Sequence, residues 1–192
     1  MTRKAATLPP DYFEAKYKAD IDPWRFRSSR YEQDKYQATI ASLTRAPYAQ
    51  ALEVGCSIGV LTQLLSAHCA QLLAIDASAT ALEVARSVSG SNVSFRVATI
   101  PADFPKGPFD LIVLSEVLYY FAKPDLQRVT QECIAEIAPG GEIVLCHWLG
   151  ETNYPLTGIE ASELFADGIK PALPVRTILH DETYRLERFS AA

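Results

Sequence analysis

From residue 51 onward the apolar positions fall into short runs whose spacing alternates between two patterns. ALEVG (51–55), QLLAID (71–76), VSFRVAT (93–99), FDLIVLSE (109–116) and EIVLCHW (142–148) read as strands. The run in FDLIVLSE is continuous, as suits a strand buried on both faces. Helical spacing lies between the strands: over 61–70, over SATALEVARSVS (78–89) with a cap at Ser78 or Thr80, and over PDLQRVTQECIAEIAPGG (124–141). The last of these is expected to stop at Pro139-Gly140-Gly141. Residues 160–168 predict a further short helix, and VRTILHDETYRLERFS a closing hairpin around 181–183.

Strands alternating with helices predict an α/β fold, a doubly wound, mostly parallel seven-stranded sheet whose last hairpin adds an antiparallel strand. In such a sheet ligands bind at the C-terminal edge of the strands, at the switch point. The stretch before residue 51 differs. DYFEAKYKADIDPWRFRSSRYEQDKYQATIASLT is rich in aromatic residues, lacks strand periodicity and reads as two helices broken at Asp22-Pro23. Residues 1–10 are expected to be flexible up to Pro9-Pro10. The expected organisation is therefore an N-terminal helical segment, 1–45, and a main domain, 46–192.

Composition narrows the functional classes. The 192 residues are 48% hydrophobic and 21% charged, with a formal net charge of −5, which argues against a general nucleic-acid binder. There is no apolar run long enough to span a bilayer, and MTRKAATLPPDYFEAKYKAD has no apolar leader core. A cytoplasmic location with no membrane partner is the expectation. The four cysteines and three histidines have no metal-ligand spacing, so no metal is expected and the thiols read as buried and free.

The chemistry concentrates in ALEVGCSIGVLTQLL, a strand, a turn and a helix with Gly55 and Gly59 four apart. The spacing fits neither the G-x-G-x-x-G dinucleotide fingerprint nor, lacking a lysine after Gly59, a P-loop. The second strand ends in Asp76, a carboxylate able to accept both hydroxyls of a ribose. A glycine turn without a pyrophosphate cradle, followed by a ribose carboxylate, suits a nucleoside without phosphates.

At these residues the chain resembles the class I S-adenosylmethionine-dependent methyltransferases, which have a Rossmann-like fold. LEVGCSIG, LLAIDAS, FDLIVLSEVLYYF and IAPGGEIVL occur in the expected order over residues 51–145. The resemblance implies S-adenosylmethionine as cofactor. Its expected contacts are Glu53, Gly55, Cys56 and Gly59 in the first turn, Asp76 and Ala77 after the second strand, and Ser115 after the fourth. Thr99 and Ile100 fall in the adenine loop, where many relatives carry an aspartate at the position of Ile100. Ser57 replaces the usual middle glycine, a change that ordinary backbone angles would accommodate. A narrower resemblance, in DPWRFRSSRYEQDKY and SEVLYYF, is to the nodulation protein S group. It implies N-methylation of a deacetylated glucosamine unit of a chitooligosaccharide, with the N-terminal segment, through Trp24, Arg27 and Tyr31, as a lid over the donor.

Methyl transfer from a sulfonium is an in-line displacement that needs alignment and a neutral acceptor. Tyr119, Tyr120 and Glu116 follow the fourth strand on the ligand edge, and His147 lies near the end of the fifth. A tyrosine hydroxyl there is a candidate to orient or deprotonate the acceptor, Glu116 to steer an ammonium, and His147 to act as general base. The partner expected is a small-molecule or oligosaccharide acceptor. O-methylation of a small metabolite and a non-catalytic binding protein of the same fold are the rival readings.

Overall fold

The computed structural model describes residues 3–88 and 90–191. Its seven strands form one sheet in the order β3-β2-β1-β4-β5-β7-β6, the mixed doubly wound arrangement expected. The chain forms two compact units, 9–99 and 1–8 together with 100–192; the sequence had suggested a division at 45/46.

The 9–99 unit begins with α1 (Pro10–Ala19) and α2 (Arg30–Ala41). Pro10 stands in the first turn of α1, where its missing N–H costs nothing. Ser29 caps α2 by accepting the Glu32 N–H. The break between them is organised by Asp22, whose carboxylate accepts the N–H groups of Phe26 and Arg27. Strands β1 (Ala51–Val54), β2 (Leu72–Asp76) and β3 (Val93–Val97) pair in parallel, Ala51 with Leu72 and Leu72 with Val93. Between them run α3 (Val60–Ser66) and α4 (Ala79–Val88), α1 packing on α4 and α2 on α3. Helix α3 ends earlier than its apolar spacing implies. The Asn92 side-chain amide donates to the carbonyls of Ser66 and Cys69 (2.9 and 2.8 Å), an off-helix partner for the backbone there. Ser89, the last residue of the expected helix over 78–89, lies outside the described residues.

The other unit carries β4 (Phe109–Ser115), a 3-10 turn (Leu118–Tyr120), α5 (Lys123–Glu136), β5 (Ile137–Trp148), α6 (Gly158–Ile169) and the hairpin β6 (Val175–Asp181) and β7 (Tyr184–Ser190). Leu111 to Leu114 are fully buried, as the continuous run in β4 implies. β5 runs parallel to β4 and antiparallel to β7. Thr157 and Glu160 cap α6 reciprocally, a capping box. The α5-to-β5 boundary lies earlier than Pro139-Gly140-Gly141. Ile137 is already extended, and Ala138, preceding a proline, is biased the same way. The irregular register between Phe109 and Leu111 absorbs the extra residues of β5. Nor are the described residues of 1–10 loose, as had been expected. Lys4 N–H donates to the Asn153 carbonyl and Leu8 N–H to that of Tyr120, Thr7 bridges Asp125 and the Ala122 N–H, and Leu8 is buried. Backbone pairing and one apolar anchor hold a segment that its composition alone does not.

Candidate functional site

The turn after β1 is built on left-handed departures at every second residue: Gly55 (φ 76°), Ser57 (φ 53°) and Gly59 (φ 82°). Ser57 therefore does not have the ordinary backbone angles on which its tolerance was premised. Left-handed backbone costs a residue with a side chain about 1–2 kcal/mol, and two hydrogen bonds hold Ser57 there. Its N–H donates to Asp76 Oδ2 (2.9 Å), and its hydroxyl accepts from the Tyr17 hydroxyl (2.6 Å). Gly59 has a packing cause. A Cβ there would lie 3.0 Å from the Ala85 Cβ of α4, so what approaches this glycine is a neighbouring helix.

Asp76 ends β2 with 8% of its surface exposed. Besides the Ser57 N–H, it accepts the Ser78 N–H at Oδ1 (2.8 Å). Burial pushes its carboxyl up from the usual aspartate range, against the opposing pull of these backbone donors. Oδ2 takes the Ser57 bond and Oδ1 the Ser78 bond, the Ala77 N–H adds a further backbone donor, and an ionised carboxylate with about four acceptor positions keeps capacity for a hydroxyl. Glu53 in β1 is fully buried. Burial raises its pKa to about 7, against the smaller pull of the Thr62 hydroxyl, and its Oε2 has no hydrogen-bond partner. Such an acceptor fits an incoming N–H donor. Cys56 is buried, its thiol pushed up by burial and then by Glu53. Ala77 follows Asp76, and the Ala98 N–H donates to the Asp76 carbonyl (3.0 Å), placing Thr99 one residue beyond.

Of the expected lid residues, Trp24 packs on the cluster of Tyr17, Ile58 and Ala81 and meets the Tyr17 ring edge-on at 5.5 Å. Arg27 is exposed, and Tyr31 lies under the Lys35 ammonium. The N-terminal segment is thus joined to the turn after β1 by Tyr17 and to the start of α4, after β2, by Glu14, two residues that sequence reasoning missed. Glu14 accepts the hydroxyls of Ser78 and Thr80 (2.7 Å each) and the Thr80 N–H. Those hydroxyl donors first, then the backbone bond and Lys18, hold its carboxyl down at about 2. The i,i+3 spacing of Glu14 and Tyr17 was the available signal.

Ile100 and Ser115 belong to the other unit, Ile100 buried and Ser115 closing β4 opposite Cys146. Next to Ser115, Glu116 has left-handed backbone (φ 57°), its N–H donating to the Cys146 carbonyl. Its Oε2 accepts the Tyr119 hydroxyl (2.6 Å) and the Trp148 N–H (3.0 Å). A non-glycine residue in this region marks a locally over-determined site. Burial first, then the Glu116 charge, pushes the Tyr119 phenol well up, so Tyr119 serves as a donor and not as a base. His147 is fully buried and its Nε2 accepts the Leu118 N–H (3.1 Å). That nitrogen is committed to holding the 3-10 turn, which corrects the expectation of a general base. Tyr120 and Tyr154 complete the group, with rings 4.7 Å apart and Tyr154 stacked on Tyr119 at 5.4 Å. Tyr154 was missed because its loop carries no periodicity.

Residues 11–147 match the family model of nodulation protein S (NodS). Nodulation protein S of Rhizobium tropici is 34% identical over 127 residues, 64% of this chain and 53% of that protein. The chain thus spans about half the length of the curated relatives it matches. Among solved structures, N-methyltransferase NodS from Bradyrhizobium japonicum WM9 in complex with S-adenosyl-l-homocysteine has a TM-score of 0.77 at 24% identity, over 92% of this chain and 97% of that one. A candidate methyltransferase from Pseudomonas syringae has a TM-score of 0.73 at 30% identity, over 84% and 99%.

Proposed function

The chain belongs to the nodulation protein S family, and from that premise we propose that it is an S-adenosylmethionine-dependent methyltransferase acting on the nitrogen of a small polar amine. The acceptor class is an amino sugar such as a deacetylated glucosamine unit of a chitooligosaccharide. The observation that carries the reading is the Asp76 carboxylate, held at the end of β2 by the backbone N–H groups of Ser57 and Ser78, with acceptor capacity left for a ribose hydroxyl. Asp76 would hold the ribose and Glu53, with its partnerless Oε2, the amino group of the methionine part. Gly55 has no side chain to hinder a ligand that comes close to the backbone.

The donor supplies a methyl group on a sulfonium, open to in-line displacement. The chain's part is alignment and proton handling. An amine attacks only as the neutral base. Glu116 would attract an ammonium, and its carboxylate would take the proton that must leave. Tyr119 keeps that carboxylate in place by donating to it. An alcohol acceptor needs a stronger base than a carboxylate. His147, the residue expected to supply one, is occupied at Nε2, and this favours nitrogen over oxygen.

Calorimetry with S-adenosylhomocysteine, followed by transfer of a labelled methyl group to glucosamine oligomers and their N-acetylated counterparts, tests the proposal. Binding, with transfer to the free amines alone, is expected. Equal transfer to both classes would overturn the nitrogen acceptor, and absence of binding the donor reading.

A further inference from the structure

Two of the backbone N–H groups on the Asp76 carboxylate belong to Ser57 and Ser78. The side chains of those same two serines are both gripped by one helix, α1. The Tyr17 hydroxyl donates to Ser57 Oγ, and the Ser78 hydroxyl donates to Glu14 Oε2. Glu14 and Tyr17 are three residues apart and share a helix face. Each oxygen of Asp76 therefore has its own route back to α1, Oδ2 through Ser57 and Tyr17, Oδ1 through Ser78 and Glu14. The grips are firm. Tyr17 is 5% exposed, and Glu14 also takes Thr80 by both its hydroxyl and its N–H. Ser57 in left-handed backbone is the residue most in need of an anchor, because nothing intrinsic to a serine keeps it there.

We propose that Glu14 and Tyr17 are positioning residues that set the orientation of the Asp76 carboxylate for the donor ribose, so that α1 tunes donor affinity without touching the donor. The inference rests on the donor reading above. It differs from a covering lid, which would act by contact.

Tyr17→Phe removes one hydroxyl and Glu14→Gln one charge, each at constant shape. The wild type, both single variants and the double variant are titrated with S-adenosylhomocysteine and with its 2′-deoxy counterpart. The double variant is expected to bind S-adenosylhomocysteine about tenfold more weakly, and each single variant about threefold, the scale of one modest hydrogen bond each. The 2′-deoxy compound is expected to lose affinity for the wild type and to lose far less for the double variant, whose ribose contact is already misaligned. Ser57→Gly in the Tyr17→Phe background should restore affinity, since glycine occupies the left-handed region unaided. Equal losses for both ligands, wild-type affinity in the double variant, or no rescue by Ser57→Gly would each overturn the inference. If the double variant does not fold, the single variants carry the same comparison. A wild-type chain that binds neither ligand refutes the donor reading, and the inference falls with it. A wild-type chain that binds both equally keeps the donor but removes Asp76 from the ribose.

Discussion

Gly59→Ala tests whether the second glycine of the turn serves packing or ligand. Its φ of +82° is the left-handed region, which costs an alanine about 1–2 kcal/mol. The added Cβ would lie 3.0 Å from the Ala85 Cβ and 3.1 Å from its Cα. Ala85 is completely buried in α4 and has no flexible arm to withdraw, so this is overpacking of the kind that costs about 1–3 kcal/mol. The two parts give a loss of about 2–5 kcal/mol, a large share of the ~5–15 kcal/mol of a typical domain. The assay is urea unfolding, where a loss of this size lowers the midpoint by about 1 M or more. Ala85→Gly separates the two parts. It costs about 1 kcal/mol through helix propensity, and in its background Gly59→Ala should cost at least ~1 kcal/mol less, because one crowding atom is gone. A loss below ~1 kcal/mol together with a collapse of S-adenosylhomocysteine affinity would refute the packing account and return Gly59 to the ligand.

Asp76→Ala should abolish most donor affinity while the fold persists, read by calorimetry beside circular dichroism; unchanged affinity would displace the ribose from Asp76. His147→Leu strands the buried Leu118 N–H and should cost about 1–3 kcal/mol in urea unfolding, with the pH profile of turnover unmoved; loss of a basic limb in that profile would restore His147 as a base. Tyr119→Phe releases one hydrogen bond from Glu116 and should lower kcat with donor affinity preserved, whereas parallel losses would make it purely structural. Glu14 titrates at about 2 in the fold against an ordinary 4.5. The native state thus binds fewer protons, and its stabilisation is complete above about pH 4.5 and lost as pH falls towards 2. Thermal midpoints of Glu14→Gln against wild type across pH 2–6 should converge at the acid end, and a constant offset would contradict the assignment.

Much of the fold was legible because its signals are local. The continuous apolar run of β4 and the alternation of strands with amphipathic helices need no tertiary knowledge. The turn after β1 was legible as a turn for the same reason, since its glycines and Asp76 sit at fixed offsets from strands. What escaped depends on partners distant in sequence. Nothing near Ser57 announces a left-handed serine, because its anchor, Tyr17, lies forty residues away. His147 has the residue type and position of a base, and only the fold shows that the Leu118 N–H occupies it. Gly59 reads as a ligand glycine until Ala85 is brought against it. The early end of α3 follows from Asn92, which reaches back from beyond α4.

The four buried cysteines have a practical use. Cys56 and Cys69 lie in the 9–99 unit, Cys133 and Cys146 in the other. A thiol shielded from solvent reacts with an alkylating reagent only when its surroundings open, and burial also keeps the thiolate scarce. Alkylation rates measured cysteine by cysteine therefore act as an internal hydrogen-exchange experiment with sulfur as the reporter. Two probes in each half would show whether the halves open together or one before the other, and whether added donor slows Cys56 more than Cys133, with no label introduced.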